Sequence, residues 1–372
     1  KLFSMLREDG LRCCILKGQG NALMYPNPYS RTPGDIDVWI HASRERIIEY
    51  ASKKFELEDD IRLQHLETSL DGVPVELHFF PCSMNNPIYH TRLQKWFRRN
   101  ADLQCSHIVG LPDGAGDIAI PTTAFNVIYQ LMHLYHHFFD EGIGMRQIID
   151  YFLVVNDFSK NVFLNNDLSN PPVPLSKEGS TFSPSPSSSG SGDVTAPSWC
   201  SEPLRSKDGG PSKVSPNCAG WDRRGVSGDT GSVSCSSASG SSITSVSSAS
   251  TTDSSASTAL DVVQRELKYL ELWKFARAVM YVLHEALGLS EEKMIAPMDE
   301  KRGKLLLAEI LNGGNFGKHF TKYGHFTQQG MAKKYFLKIW RNMHFVRYYP
   351  AEALSEPIFR TWHFFWRMKN RK

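Results

Sequence analysis

The chain has 372 residues, a net charge of +3 and 22% charged residues, which allows two ordinary domains with a large core. So small a net charge gives no reason to invoke nucleic acid or an anionic membrane as partner, and no window holds the roughly 18 uninterrupted apolar residues of a membrane span. Seven scattered cysteines, an odd count without a CxxC pair, argue against a disulfide framework and for a reducing, cytoplasmic setting.

The opening KLFSMLREDG reads as the interior of a helix, with neither an initiator Met nor a signal-peptide pattern, so the natural N-terminus is expected upstream. LRCCIL (11–16) is a compact apolar run that fits a buried strand. GQGNALMY follows as a glycine turn leading into a short helix, and DIDVWI (35–40) is the next strand. SRERIIEYASKKF (43–55) has helical spacing with Ser43 as N-cap. RLQHLETSL and VPVELHFF flank Asp71-Gly72, the strongest short hairpin signal available. From Pro121 the character changes to helices: TTAFNVIYQLMHLYHHFF, GIGMRQIIDYFLVVN, a long helical stretch over 259–289, and a mostly helical 300–372.

Residues 159–258 interrupt the helices with a segment dominated by Ser, Gly, Pro and Thr. Such a composition buries too little to offset its ordering entropy, so it is expected to be a disordered insert between two helices of one domain.

The chemistry concentrates in RTPGDIDVWI (31–40). Side chains on a strand alternate faces. Asp35, Asp37 and Trp39 therefore share one face, expected to be exposed, while Ile36, Val38 and Ile40 share the other. On the second hairpin strand Val73, Val75, Leu77 and Phe79 face the core, and Glu76 and His78 face away. If that strand neighbours DIDVWI, Glu76 joins the two aspartates. Three carboxylates repel one another unless a cation sits among them. Oxygen-only donors favour a hard cation such as Mg²⁺, with Mn²⁺ as a substitute. A bare D-x-D also fits a solvated strand or turn. Here it lies downstream of glycines at Gly18 and Gly20, which let backbone N–H groups approach phosphate oxygens, and of positive charge on Lys17 and Arg31.

The run LKGQGNALMYPNPYSRTPGDIDVWI followed by VELHFF resembles the polymerase-beta-like nucleotidyltransferase superfamily: a glycine turn after the first strand, D-h-D on the next, and a further carboxylate on a later strand. Within it, LKG…YP.P..R..GDIDVWI with VELHFF is most similar to the bacterial uncharacterised nucleotidyltransferase family, a resemblance that covers roughly the whole chain outside 159–258. The resemblance implies an α+β catalytic domain (1–112), with mixed sheet and flanking helices, joined to a helical domain (113–158 and 259–372) that carries the insert. It implies Asp35, Asp37 and Glu76 as catalytic and metal-binding residues, and Lys17, Gly18, Gly20 and Arg31 at the nucleotide. The activity implied is transfer of a nucleoside monophosphate from NTP to an acceptor hydroxyl with release of pyrophosphate. The acceptor stays open among a small molecule, a sugar and a protein side chain. The turn departs from the superfamily's usual Gly-Ser, reading Lys17-Gly18-Gln19-Gly20.

Three other stretches compete for function. HLYHHFFDE places His133 and His137 one helical turn apart, the spacing of a zinc pair and the basis of an alternative reading as a metallohydrolase. The same helix end can instead face the cleft, bringing His137, Glu141 or Arg146, with His78, towards nucleotide or acceptor. Arg146 and Asp150 also fit an i, i+4 ion pair. NGGNFG (312–317) fits a helix C-cap and turn better than a phosphate loop, and FRTWHFFWRMKNRK fits an amphipathic helix. A catalytically degenerate nucleotide- or partner-binding protein is the main alternative to an enzyme.

Overall fold

The computed structural model describes residues 1–57, 61–140, 142–164, 252–313 and 331–370. Helix α1 (Leu2–Glu8) leads into strand β1 (Cys13–Leu16), the short helix α2 (Gly18–Ala22), strand β2 (Ile36–Ile40) and helix α3 (Arg44–Lys54). Ser43 caps α3, its hydroxyl accepting the Arg46 N–H. Strands β3 (His65–Leu70) and β4 (Val73–His78) form the hairpin expected at Asp71-Gly72. Both turn residues have positive φ, 53° and 79°, the geometry that matches a two-residue turn to the twist of its strands.

The strand order is β1-β2-β4-β3. β1 pairs antiparallel with β2, β2 parallel with β4, and β4 antiparallel with β3. The sheet is thus mixed, and the α+β expectation holds. Helix α4 (Pro87–Ser106), the small ribbon β5 (Ile108–Gly110) and β6 (Asp117–Ala119), and helices α5 (Thr123–Asp140) and α6 (Met145–Leu164) complete the first half. Helices α7 (Thr252–Tyr269), α8 (Trp273–Leu287), α9 (Glu300–Gly313), α10 (Met331–Met343) and α11 (Pro350–Asn370) follow.

Two buried clusters use the two faces of the sheet. Cys13, Ile15, Val38, Ile40, Leu66, Val75 and Leu77 pack with Leu6 of α1 and Ile47 and Ala51 of α3. On the opposite face Cys14, Leu16 and Trp39 join Trp96 and Phe97 of α4 and Phe125 and Tyr129 of α5. Trp39 stacks on Phe125 (ring centroids 6.1 Å), which stacks on Trp96 (4.5 Å). This corrects one expectation. Of the three residues on the face that carries Asp37, Asp35 is exposed as expected, but Trp39 is 3% and Asp37 4% accessible. The alternation of side chains is as expected except that Val73, expected in the core, is 41% exposed at the hairpin turn, and hydrophobic residues of α4 and α5 cover the second face as well.

The same cluster continues through α6, α7, α8 and α9, so it draws on both sides of the expected boundary at residue 112. Helix α6 runs on to Leu164 and α7 begins at Thr252; both edges of the expected insert 159–258 are therefore helical, and the rest of it, 165–251, lies outside the described residues. At the first edge Phe158 and Ser159 are buried and Val162 packs on the core. The long helix expected over 259–289 is two helices. Glu271 adopts φ 60° between the fully buried Leu270 and Leu272, and the Leu272 N–H returns to Leu267 O at 2.8 Å, a helix-ending turn that brings both leucines inside. Gly288 ends α8 in the left-handed conformation. Of NGGNFG, Asn312 and Gly313 end α9 and the remainder lies outside the described residues. Among the described residues no helix is long and apolar enough to cross a membrane.

Candidate active site

Parallel pairing of β2 with β4 sets Asp37 opposite Glu76 and Trp39 opposite His78. Asp35 immediately precedes β2. One carboxylate oxygen each from Asp35, Asp37 and Glu76 lies within 4.8 Å of the others. The three acidic candidates therefore converge at one point of a cleft of about 520 Å³, which Lys17 and Gly18 also line.

Two side-chain donors already meet Asp37 Oδ1: Lys17 Nζ at 2.9 Å and His78 Nε2 at 3.0 Å. His78 Nε2 is also 3.1 Å from Glu76 Oε2. The electrostatics follow. Burial would raise the Asp37 carboxyl, but the Lys17 ammonium and the hydrogen bond and charge of His78 outweigh it and hold it well below the usual carboxylate range. Glu76 is lowered against its burial by the hydrogen bond and charge of His78. Asp35, with no such donor, is raised by burial and by the charges of Asp37 and Glu76. Burial opposes the charged forms of Lys17 and His78, yet their carboxylate partners raise both. The cluster stays charged because it carries its own counter-cations.

Lys17 holds this place through its backbone as well as its side chain. It directly follows β1 as the N-cap of α2 and has a positive φ of 50°, where a non-glycine residue costs roughly 1–3 kcal/mol. Its Nζ is also 2.6 Å from His133 Nε2. Burial and then the Lys17 charge push His133 far down, so the imidazole is neutral and accepts from the ammonium. Gly18 follows at φ 22°, and a Cβ there would lie 3.8 Å from Asp35 O. The turn thus passes close to the start of the acidic strand.

The remaining candidates divide. His78, His137, Arg31 and Arg146 all line the cleft. Gly20 does not; a Cβ on it would meet Ile120 Cγ2 at 3.2 Å. Residues two apart on a helix point about 200° from each other, so Gly18 and Gly20 cannot serve the same space. Arg31 makes a two-point pair with Asp150, Nε–Oδ1 3.0 Å and Nη2–Oδ2 2.9 Å, and Tyr25 donates to the same carboxylate at 2.7 Å. Its guanidinium ties the loop before β2 to α6. Asp150 therefore pairs with Arg31 rather than with Arg146, which donates to Thr32 O at 3.1 Å. Glu141 lies outside the described residues. His133 and His137 stack with ring centroids 4.4 Å apart. They join neither of the groups of three or more potential metal ligands that converge among the described residues.

Sequence reading passed over His65. Its Cα partner is His78, and its Nδ1 lies 3.5 Å from Glu76 Oε2. A signal existed: a two-residue turn fixes hairpin register, and counting back from Leu70 and Val73 sets His65 opposite His78. Asp150 as partner of Arg31 and His133 as partner of Lys17 had no such local signal.

A mixed α+β sheet with three carboxylates converging beside a glycine turn is the arrangement expected of a nucleotidyltransferase. Residues 1–169 match the family model described as "Uncharacterised nucleotidyltransferase", the family that the motifs at 16–40 and 74–80 resemble. The match ends there and does not take in 259–372, over which the sequence resemblance was extended. Among solved structures, an antigenic nucleotidyltransferase-like protein from Paracoccidioides brasiliensis is 16% identical, with 42% of this chain and 72% of that chain covered and a TM-score of 0.28. No curated protein matches the sequence.

Proposed function

We infer that this chain transfers a nucleoside monophosphate from an NTP to an acceptor hydroxyl and releases pyrophosphate. The observation that carries the reading is the convergence of Asp35, Asp37 and Glu76, with ligand oxygens within 4.8 Å of one another, at a cleft about 520 Å³ in volume. The donor set is all oxygen, so the cluster fits a hard cation. Asp35, Asp37 and Glu76 would hold Mg²⁺ or Mn²⁺, which when bound neutralises phosphate charge and stabilises the attacking and leaving oxygens of a phosphoryl displacement.

The chain's own groups do the rest. The acceptor oxygen attacks the α-phosphorus, the bond from that phosphorus to its bridging oxygen breaks, and pyrophosphate leaves. Glu76 takes the proton of the incoming hydroxyl. Lys17 and Arg146 line the cleft and supply charge for the triphosphate, with Gly18 letting the backbone come close. His137 lines the same wall and is a candidate contact for nucleotide or acceptor. In this reading residues 1–112 supply the catalytic groups, and the helical part closes the cleft through α5 and α6. A reducing, cytoplasmic setting is part of it, supported by Cys13 and Cys14, adjacent free thiols in the core.

The test is Mg²⁺-dependent NTP binding, followed by pyrophosphate release over a panel of small-molecule, sugar and protein acceptors. The double substitution Asp35→Asn, Asp37→Asn is expected to abolish both; unchanged Mg-NTP binding and turnover in that variant sinks the mechanism. A second reading, a nucleotide-binding protein without turnover, is favoured by one observation: Lys17 and His78 already neutralise the carboxylates. Mg-NTP binding without pyrophosphate release on any acceptor would select it.

A further inference from the structure

We propose that His65, Glu76 and His78 form a second cation site, one for a borderline transition-metal dication such as Zn²⁺, abutting the all-oxygen cluster and sharing Glu76 with it. The reading above uses Asp35, Asp37 and Glu76 and gives His65 no role.

The hairpin builds the site. Glu76 and His78 are two apart on β4 and share a face, and antiparallel register sets His65 beside His78. The two imidazole rings are 5.0 Å apart at their centroids. The ligand atoms converge: His78 Nε2 is 3.1 Å and His65 Nδ1 3.5 Å from Glu76 Oε2, and the three residues form one of the two groups among the described residues whose potential ligand atoms all lie within 4.8 Å. Zinc binds nitrogen and oxygen at about 2.0–2.1 Å in tetrahedral geometry, so two ligand atoms on one ion stand about 3.4 Å apart. The separations are those of ligands around an ion.

His65 supplies the independent sign of a missing ligand. Both of its ring nitrogens are buried without a hydrogen-bond partner; their nearest carboxylates, Glu76 at 3.5 Å and Glu67 at 3.6 Å, lie beyond a normal hydrogen bond. Buried polar atoms are rarely left so. A dication coordinated by Nδ1 would satisfy the ring, and Glu67 beside Nε2 would orient it, as carboxylates do for metal-bound histidines. Two imidazoles and one carboxylate select Zn²⁺, Co²⁺ or Fe²⁺ over Mg²⁺, which prefers oxygen. Coordination through His78 Nε2 would release the proton that this atom now shares with Asp37 and Glu76.

The experiment titrates the full chain with Co²⁺ alone and reads its visible absorption. The expected result is one equivalent bound with the intense band of a four- or five-coordinate site, displaced by one equivalent of Zn²⁺. His65→Gln, with thermal melting to confirm folding, is expected to weaken Co²⁺ binding about 100-fold, while Asp35→Asn keeps it. X-ray absorption of the unaltered chain loaded with one equivalent of Zn²⁺ is expected to show imidazole scattering, independently of any variant. A weak six-coordinate Co²⁺ spectrum, affinity unchanged in His65→Gln, or no imidazole around Zn²⁺ overturns the site. None of these readouts uses nucleotide: absent Mg-NTP turnover with the Co²⁺ band intact would overturn the transfer reading and leave this one standing.

Discussion

The two faces of the four-stranded sheet are made by the same alternation and end in opposite chemistry. One face is almost wholly apolar, with Ile15, Val38, Val75 and Leu77 packed on α1 and α3 and Thr68 as its buried polar member. The other begins the same way, with Cys14 and Trp39 under α4 and α5, then turns to Asp37, Glu76, His65 and His78 towards the cleft. Both are covered by helices, so the difference is not exposure. On the first face burial itself stabilises. On the second, burial opposes every charge, and the face persists because Lys17 and His78 offset the carboxylates at hydrogen-bond distance. A buried polar face of this kind stabilises little.

The comparison can be broken by substitution. The largest effect expected is on turnover, with Asp35→Asn, Asp37→Asn lowering pyrophosphate release by roughly 10³-fold or more while thermal melting shows the fold intact. Leu77→Ala, directly behind this site on the apolar face, should do the reverse. It removes a fully buried side chain and should lower unfolding free energy by about 2–5 kcal/mol in denaturant titration, with NTP binding retained at low temperature. Lys17→Met tests whether the polar face needs its internal cation. It should destabilise by about 2 kcal/mol, less than a fully buried pair, because the Lys17 side chain is 22% exposed. Mg²⁺ should raise the melting temperature of this variant more than that of the unaltered chain; equal shifts would mean that Lys17 and the cation do not compete for the cluster.

The smallest effect contrasts two buried carboxyls. Asp37 has cationic partners and is held down. Glu352 of α11, 3% exposed, has backbone N–H donors from Asn85 and Asn86, and burial pushes it up to about 7. A carboxyl raised on folding adds stability below its unfolded value, about 4.3, and that contribution is lost as pH rises through the folded one. Melting should therefore weaken between about pH 5 and 8, and Glu352→Gln should flatten the profile. A profile unchanged by that substitution would place the pH dependence elsewhere.

Much of this site can be read along the chain. Period two put Asp35, Asp37 and Trp39 on one face, Asp71-Gly72 announced the hairpin, and the motif pointed to Glu76. The errors share a cause. Trp39 beside the aspartates was the sign that their face is buried, but what covers it, Trp96, Phe97 and Phe125, lies more than fifty residues away. That Arg31 lines the cleft while paired with Asp150 could not be read locally, because that partner is 119 residues distant. The break at Glu271 was hidden because helical spacing persists on both sides of it.

Sequence by itself determined the local matters: strands, hairpin register, the N-cap at Ser43, and the three carboxylates with their glycine turn. These depend on residues within a few positions of one another, where backbone geometry leaves few choices. Tertiary structure alone decided that β2 and β4 are neighbours, that Lys17 and His78 sit on Asp37, and that His65 faces Glu76 with no hydrogen-bond partner. Those are matters of which distant surfaces pack together, and buried charge must be matched by whatever that packing brings within reach.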